Sequence, residues 1–589
     1  MEQLARRIPG VRMLRAYQRS WLSKDIVAGL VLTTLLVPQG MAYAELAGLP
    51  AVTGLYTSIL CLLGYALFGP SRVLVLGPDS SLGPMIAATL LPILGANGDP
   101  ARAIALASML ALLVGGITLL ASVAKLGFVA DLLSKPTQVG YMNGLALTIL
   151  VSQLPKLFGF SVDANGLVDE TSAFLRGVVD GETVAMALAV GLGGVVLMAA
   201  FGRWLPKWPG VLVAVVLSVL VASWLGLADR GVRLVGELPQ GFPPFTVPHI
   251  AVADLPLLIG GALGIALVSL ADTISTASAF AARTGQEVDG NQEMVGIGMA
   301  NVASGLFQGF PVSTSGSRTA VAMQAGARSQ VTGVVGAGAI TLIILALPGL
   351  LRNLPQPTLA AVVIVASLSL ADIPAVVRLW QRSRTEFTLS MAAFLGVALL
   401  GVLPGIAVAV GLSILNVFRR AWWPDTAVLG RVEDMAGYHA LSSHPEGSEV
   451  PGLTLFRFGA PLFFANARAF RELVRELAAT TPSPRWIVVT AEPVTDIDTS
   501  AADVLEQLHD ELAADGITLV FAELKHPVRL KMDRFGLIEK LGPARFFPTI
   551  EAAVAAFQQI PAPRVAHVDP EEPTGPRVAP GGHRPSARP

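Results

Sequence analysis

Two short stretches of this chain combine helix-breaking residues with groups that hydrogen-bond anions: Leu76-Gly77-Pro78-Asp79-Ser80-Ser81-Leu82-Gly83-Pro84 and Gly309-Phe310-Pro311-Val312-Ser313-Thr314-Ser315-Gly316-Ser317-Arg318. In each, a brief extended segment (73–76 and 310–313) leads into Gly, Pro and hydroxyl residues, and an apolar run too short to cross a bilayer follows. Such a run reads as a half-helix, whose first N–H groups lack intrahelical acceptors and carry the positive end of the helix dipole. Two such ends facing each other make a cradle for a small anion. Asp79, Ser80, Ser315, Gly316 and Ser317 are the candidate binding positions, and Arg318 adds a permanent cation whose planar fork matches a carboxylate, sulfate or bicarbonate. The structural alternatives are kinked, packed helices with Arg318 snorkelling to the interface, and Asp79 as a simple helix cap.

Few other ionisable groups sit in apolar surroundings. Asp272 and Thr276 are four residues apart, so their oxygens share one helix face; the pair can help hold Na⁺, Asp272 can carry H⁺, or Asp272 can serve only as counter-ion to Arg318. Glu45, near the end of the first span, is a further coupling candidate, with a solvated interfacial carboxylate as its alternative. Gln39 and Tyr43 share a helix face and can line the site or pack in the core.

What must position these residues is a membrane. Of 589 residues, 53% are hydrophobic and 14% charged, too few ionic groups to cover a water-exposed surface of this size. Apolar runs recur at 26–41, 103–121, 184–201, 211–227, 255–270 and 331–351, close to the ~20 residues that cross about 30 Å of hydrocarbon. About fourteen spans follow, and the two interruptions fall in the third and tenth. That is the placement expected of two seven-span halves that are inverted copies meeting at a midplane site. Arg6, Arg7, Arg12, Arg15, Arg19 and Lys24 precede the first span. Further basic residues, among them Lys207 and Arg283, fall in alternate connections, and acidic Asp163, Asp169, Glu170, Asp180 and Glu182 crowd one of the others. The positive-inside rule then places both termini in the cytoplasm. The basic start runs too far before the first apolar segment to be a cleaved secretory signal. A net charge of −1 leaves no global basic field for nucleic acid, and the single Cys61 allows no disulfide and no cysteine-built metal site.

The residues resemble the sulfate permease (SulP) family of anion transporters with a cytoplasmic STAS domain. The matching stretches are Val37-Pro38-Gln39-Gly40-Met41-Ala42-Tyr43-Ala44, Gly54-Leu55-Tyr56-Thr57-Ser58, Gly69-Pro70-Ser71-Arg72, Gly140-Tyr141-Met142-Asn143-Gly144 with Gln153-Leu154-Pro155-Lys156, and 311–320 with Gln324-Ala325-Gly326-Ala327-Arg328. The resemblance implies a core and a gate built from two inverted repeats, substrate between the third and tenth spans, Gln39 and Tyr43 in the pocket, and Ser317 and Arg318 opening the tenth-span half-helix. It departs in two places. Asp272 stands where many members have Glu, which with Thr276 resembles the sodium-dependent bicarbonate branch, and Thr314 and Gly316 stand where many members have Gly and an aromatic.

After Pro424 the chain changes character: 38 of its 83 charged residues lie there. Strands at 453–458, 486–490 and 518–522 alternate with helices at 467–478, 500–513 and 550–557, the pattern of an α/β module. Ser500 and Asp503 are expected to cap the second helix reciprocally, with Gly516 at its end. The loop 496–502 resembles the one that anti-sigma-factor antagonists phosphorylate, with a plain N-cap as the alternative. By resemblance the module supports dimerisation and regulation.

The sequence therefore predicts a polytopic α-helical membrane protein: a cytoplasmic segment 1–24, a transmembrane domain 25–423 of about fourteen spans in a seven-plus-seven inverted repeat with two half-helices, a cytoplasmic α/β STAS domain 428–558 and a disordered tail 561–589. The expected function is secondary active transport of a small anion across the cell membrane by alternating access, coupled to H⁺ or Na⁺, in a homodimer. A nucleobase permease of related architecture and an anion channel are the rivals. No paired carboxylates and no nucleophile with a base occur in the apolar region, so neither an enzyme nor a cofactor is expected.

Overall fold

The computed structural model describes residues 8–560 apart from 96–97, 128–133, 163, 165, 206–207, 285–287 and 347. Arg6, Arg7, Asp163, Lys207, the side chain of Arg283 and the segment 561–589 lie outside the described residues. The chain divides into two compact units, the first ending at Asn416 and the second beginning at Val417.

The first unit is helical. Its first half contains α1 (Leu22–Leu46), α2 (Ala51–Phe68), α3 (Gly83–Leu94), α4 (Pro100–Val123), α5 (Lys135–Phe158), α6 (Ala185–Trp204) and α7 (Gly210–Leu225). The second contains α8 (Leu255–Thr284), α9 (Gly290–Gly305), α10 (Gly316–Gln324), α11 (Val331–Ala346), α12 (Gln356–Leu370), α13 (Arg384–Leu400) and α14 (Val402–Trp422). Among the described residues, seven segments are long and apolar enough to span a membrane by themselves. α3 and α10 are the short members expected from the interruptions.

Burial explains why these helices need lipid. α7 buries only Ala214, Val215, Ser218 and Ala222, one stripe at helical spacing, and exposes Val216, Leu217, Leu220, Val221 and, at 89%, Trp224. In water that face would be a large apolar patch; in hydrocarbon it is matched to its solvent. Where helices cross, small residues let backbones touch: a Cβ on Gly54 would lie 1.8 Å from Gly40 O, and one on Gly140 2.0 Å from Ser390 O.

The halves pack through corresponding contacts. α4 packs on α9 as α11 does on α2, α8 on α4 as α1 does on α11, α12 on α6 as α5 does on α13, and α10 on α1 as α3 does on α8. Moving every helix seven places along the chain exchanges the members of each pair. Seven is odd, so the halves enter the membrane from opposite faces, and the two-fold relation is the inverted repeat.

The second unit is a six-stranded sheet in the order β4-β3-β5-β6-β7-β8, formed by β3 (Thr426–Gly430), β4 (His439–Ala440), β5 (Leu453–Phe458), β6 (Trp486–Thr490), β7 (Thr518–Ala522) and β8 (Phe546–Phe547); β1 and β2 belong to the membrane unit and are described with the site. β3 runs antiparallel to β5, and β5 through β8 are parallel. Helices α15 (Ala467–Ala478) and α16 (Thr499–Ala514) cover one face, around Phe458, Phe470 and Leu508, and α19 (Ile550–Gln558) covers the other, around Val488, Val520 and Phe557; α17 (His526–Arg534) and α18 (Leu537–Leu541) complete the unit. The cap of α16 differs from expectation. Asp498, not Ser500, accepts from Ala501 N at 2.8 Å, because the helix begins one residue earlier than its apolar pattern. Gly516 follows the helix with φ +72°, a conformation that glycine adopts without strain.

Candidate functional site

The two interruptions meet. β1 (Leu76–Gly77) pairs antiparallel with β2 (Ser313–Thr314), Leu76 opposite Thr314 and Gly77 opposite Ser313. The ladder continues on the Val75 side, where Ser315 N donates to Val75 O at 3.2 Å, and Val75 N donates to the side chain of Thr319, Oγ1, at 3.1 Å. An extended chain inside a helical membrane unit needs partners for every backbone group, and neighbouring helices supply them. Asn301 of α9 accepts from Val312 N at 3.0 Å, Ser269 of α8 donates to Val312 O at 2.9 Å, and Thr57 of α2 accepts from Phe310 N at 3.1 Å. Gln330 donates to Ser71 O and Leu74 O at 2.8 and 2.9 Å. The sequence reading passed over these supports, because a lone polar residue in an apolar helix does not announce its partner.

Arg318 lies in the first turn of α10, yet its guanidinium does not face the open tip. The side chain, 1% exposed, crosses to the first interruption, where Nη1 donates to Pro78 O at 2.5 Å and Nη2 lies 3.6 Å from Asp79 Oδ2. A Cβ on Gly77 would sit 3.2 Å from Nη1, so the missing side chain there makes room for the cation. In this arrangement the fork ties the two interruptions together through Nη1 and the nearby Asp79 carboxylate. Arg318 Nε and Nη2 and the hydroxyls of Ser313 and Thr314 are buried without a hydrogen-bond partner.

Asp79 does not cap α3. Its Oδ1 accepts from Ser81 N at 3.0 Å and Ser81 Oγ at 2.7 Å, a local turn, and the N-cap position is Leu82. Ser81 Oγ also lies 3.4 Å from Asp272 Oδ2, which joins α8 to the same network. The Tyr43 phenol of α1 reaches Ser80. Gln39 is half-buried one turn earlier on α1.

At the tip of α10, Ser315 is the N-cap and its hydroxyl stands 3.0 Å from that of Ser317. Gly316 and Ser317 are exposed, and a Cβ on Gly316 would meet only Thr276 Cγ2, at 4.0 Å. Open space therefore lies between the hydroxyl-rich tip of α10 and the Asp272–Thr276 face of α8. Glu45 does not join this group. It lines a separate cavity of about 420 Å³ with Lys156, whose Nζ donates to Glu45 O at 3.3 Å. Among the described residues no cluster of His, Cys, Asp and Glu has metal-binding geometry.

Paired half-helices from inverted halves, crossing at one point and lined by hydroxyls, define a membrane transporter of the inverted-repeat class. Residues 22–393 match the sulfate permease family and residues 444–553 match the STAS domain. The chain belongs to the sulfate permease family, which is a transporter family and not an enzyme family. It is 42% identical over 554 residues, 94% of this chain and 98% of the relative, to a probable sulfate transporter of Mycobacterium tuberculosis. It is 30% identical over 573 residues, 94% and 82% of the two chains, to the chloroplastic sulfate transporter 4.1 of Arabidopsis thaliana. Its fold is that of murine Slc26a9, an anion transporter solved in the inward-facing state, with TM-score 0.86, 24% identity and 95% of each chain covered. The transmembrane domain of the cyanobacterial bicarbonate transporter BicA superposes with TM-score 0.60 at 23% identity, over 67% of this chain and 99% of that one.

Proposed function

We propose that this chain carries a small oxyanion of the sulfate, bicarbonate or dicarboxylate type across the cell membrane by alternating access, as a homodimer with both termini cytoplasmic. In this reading residues 25–423 form the transport domain, 428–558 the cytoplasmic STAS domain, and 561–589 a disordered tail. The observation that carries the reading is the antiparallel pair β1–β2, which joins the two interruptions and sets the tip of α10 against Thr276. The anion sits at that tip. It accepts hydrogen bonds from the free first-turn N–H groups of α10 and from Ser315 and Ser317, with Gly316 leaving room; Gln39, Tyr43 and Ser80 line the opposite wall. Arg318 acts through its field and by fixing the first interruption, since Nη1 donates to Pro78 O just after β1 and Nη2 lies 3.6 Å from Asp79.

Asp272 is the coupling group, and H⁺ is the coupling ion. Ser81 has one hydroxyl hydrogen but lies between two carboxylates, Asp79 at 2.7 Å and Asp272 at 3.4 Å. A proton on Asp272 supplies the missing donor. Na⁺ held by Asp272 and Thr276 is the competing assignment. Glu45, in the cavity with Lys156, is left out of coupling.

The test is uptake of radiolabelled sulfate, bicarbonate and a dicarboxylate into proteoliposomes under imposed H⁺ or Na⁺ gradients. Saturable accumulation of one anion, competed by the others and driven by a proton gradient, is the expected result. Flux that neither saturates nor accumulates would mark a channel, and no anion flux under any gradient would reject the reading.

A further inference from the structure

The short helix between α12 and α13, Ile373–Arg382, divides its surface three ways. Ala375, Val376 and Leu379 turn toward the protein, Ala375 buried and the other two half-buried. Ile373, Val377 and Trp380, at i, i+4 and i+7, form a second face that is exposed and wholly apolar. Pro374, Arg378, Gln381 and Arg382 make up the third, exposed and polar apart from its proline. A helix with one protein face, one apolar face and one basic face suits the plane where hydrocarbon, headgroups and water meet. Arg384, at the start of α13, stacks on Trp380 with Cζ 3.5 Å from the ring centroid, which brings a third guanidinium to this helix on its Trp380 side. The acidic groups nearby are Asp372, which caps this helix through Ala375 N at 2.8 Å and lies 3.9 Å from Arg378, and Glu386, so the edge keeps a net positive charge.

Beneath the helix lies a cleft of about 380 Å³ between α5, α12 and α13. Ala146, Leu147, Leu150, Leu368, Met391 and Phe394 line it, and Ile373 and Val376 of the short helix close one end; Asn143 and Ser390 are polar residues in its wall. Such a lining offers an ionic or strongly polar ligand little, whereas it suits a hydrocarbon chain.

We propose that this cleft and the arginine edge above it form one binding site for an anionic glycerophospholipid. An acyl chain occupies the cleft, and the phosphate is held by Arg378, Arg382 and Arg384. Guanidinium groups bind phosphate oxygens through paired hydrogen bonds, and net charge selects the headgroup, because a choline cation is repelled by the arginines and an uncharged glycerol is not. No residue of β1, β2 or the α10 tip lines the cleft, and the proposal does not rest on the transport reading.

The full-length protein, delipidated in detergent, is incubated with equal amounts of phosphatidylglycerol and phosphatidylcholine, and retained lipid is counted by native mass spectrometry. Wild type retains one phosphatidylglycerol per chain in preference to phosphatidylcholine. Each of Arg378→Gln, Arg382→Gln and Arg384→Gln weakens that preference about fivefold. Leu147→Trp, which fills the cleft from its wall, lowers retention of both lipids while leaving the melting temperature within about 2 °C of wild type, the range of a tolerated substitution. Equal retention of the two lipids by wild type would overturn the proposal, as would a triple arginine variant that keeps the preference. Lipid that is retained only by dimers, and lost when the dimer dissociates, would assign the face to a second copy of the chain and also overturn it.

Discussion

Arg318 Nη2 lies 3.6 Å from Asp79 Oδ2, which joins the tenth helix of the membrane unit to the turn before its third. The guanidinium is 1% exposed and the carboxylate 15%, so water screens the pair little. One contact thus links the two inverted halves at the place where both backbones leave helical geometry.

Removing one partner leaves the other charge buried. Arg318→Ala is expected to abolish anion uptake in proteoliposomes and to lower stability by about 3 kcal/mol, read as a drop in melting temperature. The double variant Asp79→Asn with Arg318→Gln is expected to recover most of the lost stability but none of the uptake. Recovery of uptake together with stability would mean that the pair only braces the fold.

Asp272→Asn keeps the shape of the side chain and removes its charge and its exchangeable carboxyl proton. Exchange of labelled anion across liposomes at equal pH is expected to persist, while accumulation against a gradient is lost. Thr276→Val separates the candidate ions. It should leave proton-driven uptake intact, and a loss of sodium dependence in that variant would move the assignment to Na⁺.

Close helix crossings predict opposite outcomes for two glycines. Gly54→Ala forces a Cβ to 1.8 Å from Gly40 O, and since backbone cannot yield as a side chain does, a loss of at least about 3 kcal/mol is expected. Gly338→Ala meets nothing within 4 Å on α11 and should be neutral or raise stability by up to about 1 kcal/mol through helix propensity. Thermal melting of the two variants in detergent measures both.

In the second unit, burial on α16 and the Arg545 guanidinium beside it hold the His509 imidazole below its usual range. The folded state then binds its proton less readily than the unfolded chain, so the unfolded state carries more protons as pH falls below about 6.5. His509 therefore contributes stability that is present above that pH and lost as pH falls toward the folded value. The protection of α16 and β7 peptides in the full chain, measured as hydrogen exchange relative to the base-catalysed intrinsic rate at each pH, is expected to fall between pH 7 and 5.5. His509→Gln should flatten that dependence, and an unchanged slope would reject the assignment.

Much of this architecture was legible in the residues, and the misses share one cause. Apolar runs mark helices because hydrocarbon tolerates no unpaired backbone, and Gly-Pro-hydroxyl stretches mark where helices break. In the second unit, Leu453–Phe458, Ala467–Ala478, Trp486–Thr490 and Thr518–Ala522 run where strand and helix periodicity predicts them. The helix cap went to Asp498 instead of Ser500, because which of several adjacent polar residues reaches a free N–H depends on backbone angles that composition does not encode. The network of Ser81, Asn301, Ser269 and Thr319 was missed for the same kind of reason, since each is an ordinary polar residue until another helix brings it a backbone partner.

The linear chain by itself determined a membrane location, the two broken spans, an α/β module after them and the residue types an anion would meet, because hydrophobicity, helix breaking and charge are properties of residues and their neighbours. Only the tertiary structure decided that Arg318 points into the first interruption and not into the opening, that Ser81 connects Asp79 to Asp272, and that Glu45 keeps company with Lys156 instead of the site. Those outcomes depend on which helices become neighbours. Contacts between residues separated by some 190 to 240 positions, as in Ser81 with Asp272 and Arg318 with Pro78, are set by packing in three dimensions, which local sequence pattern does not specify.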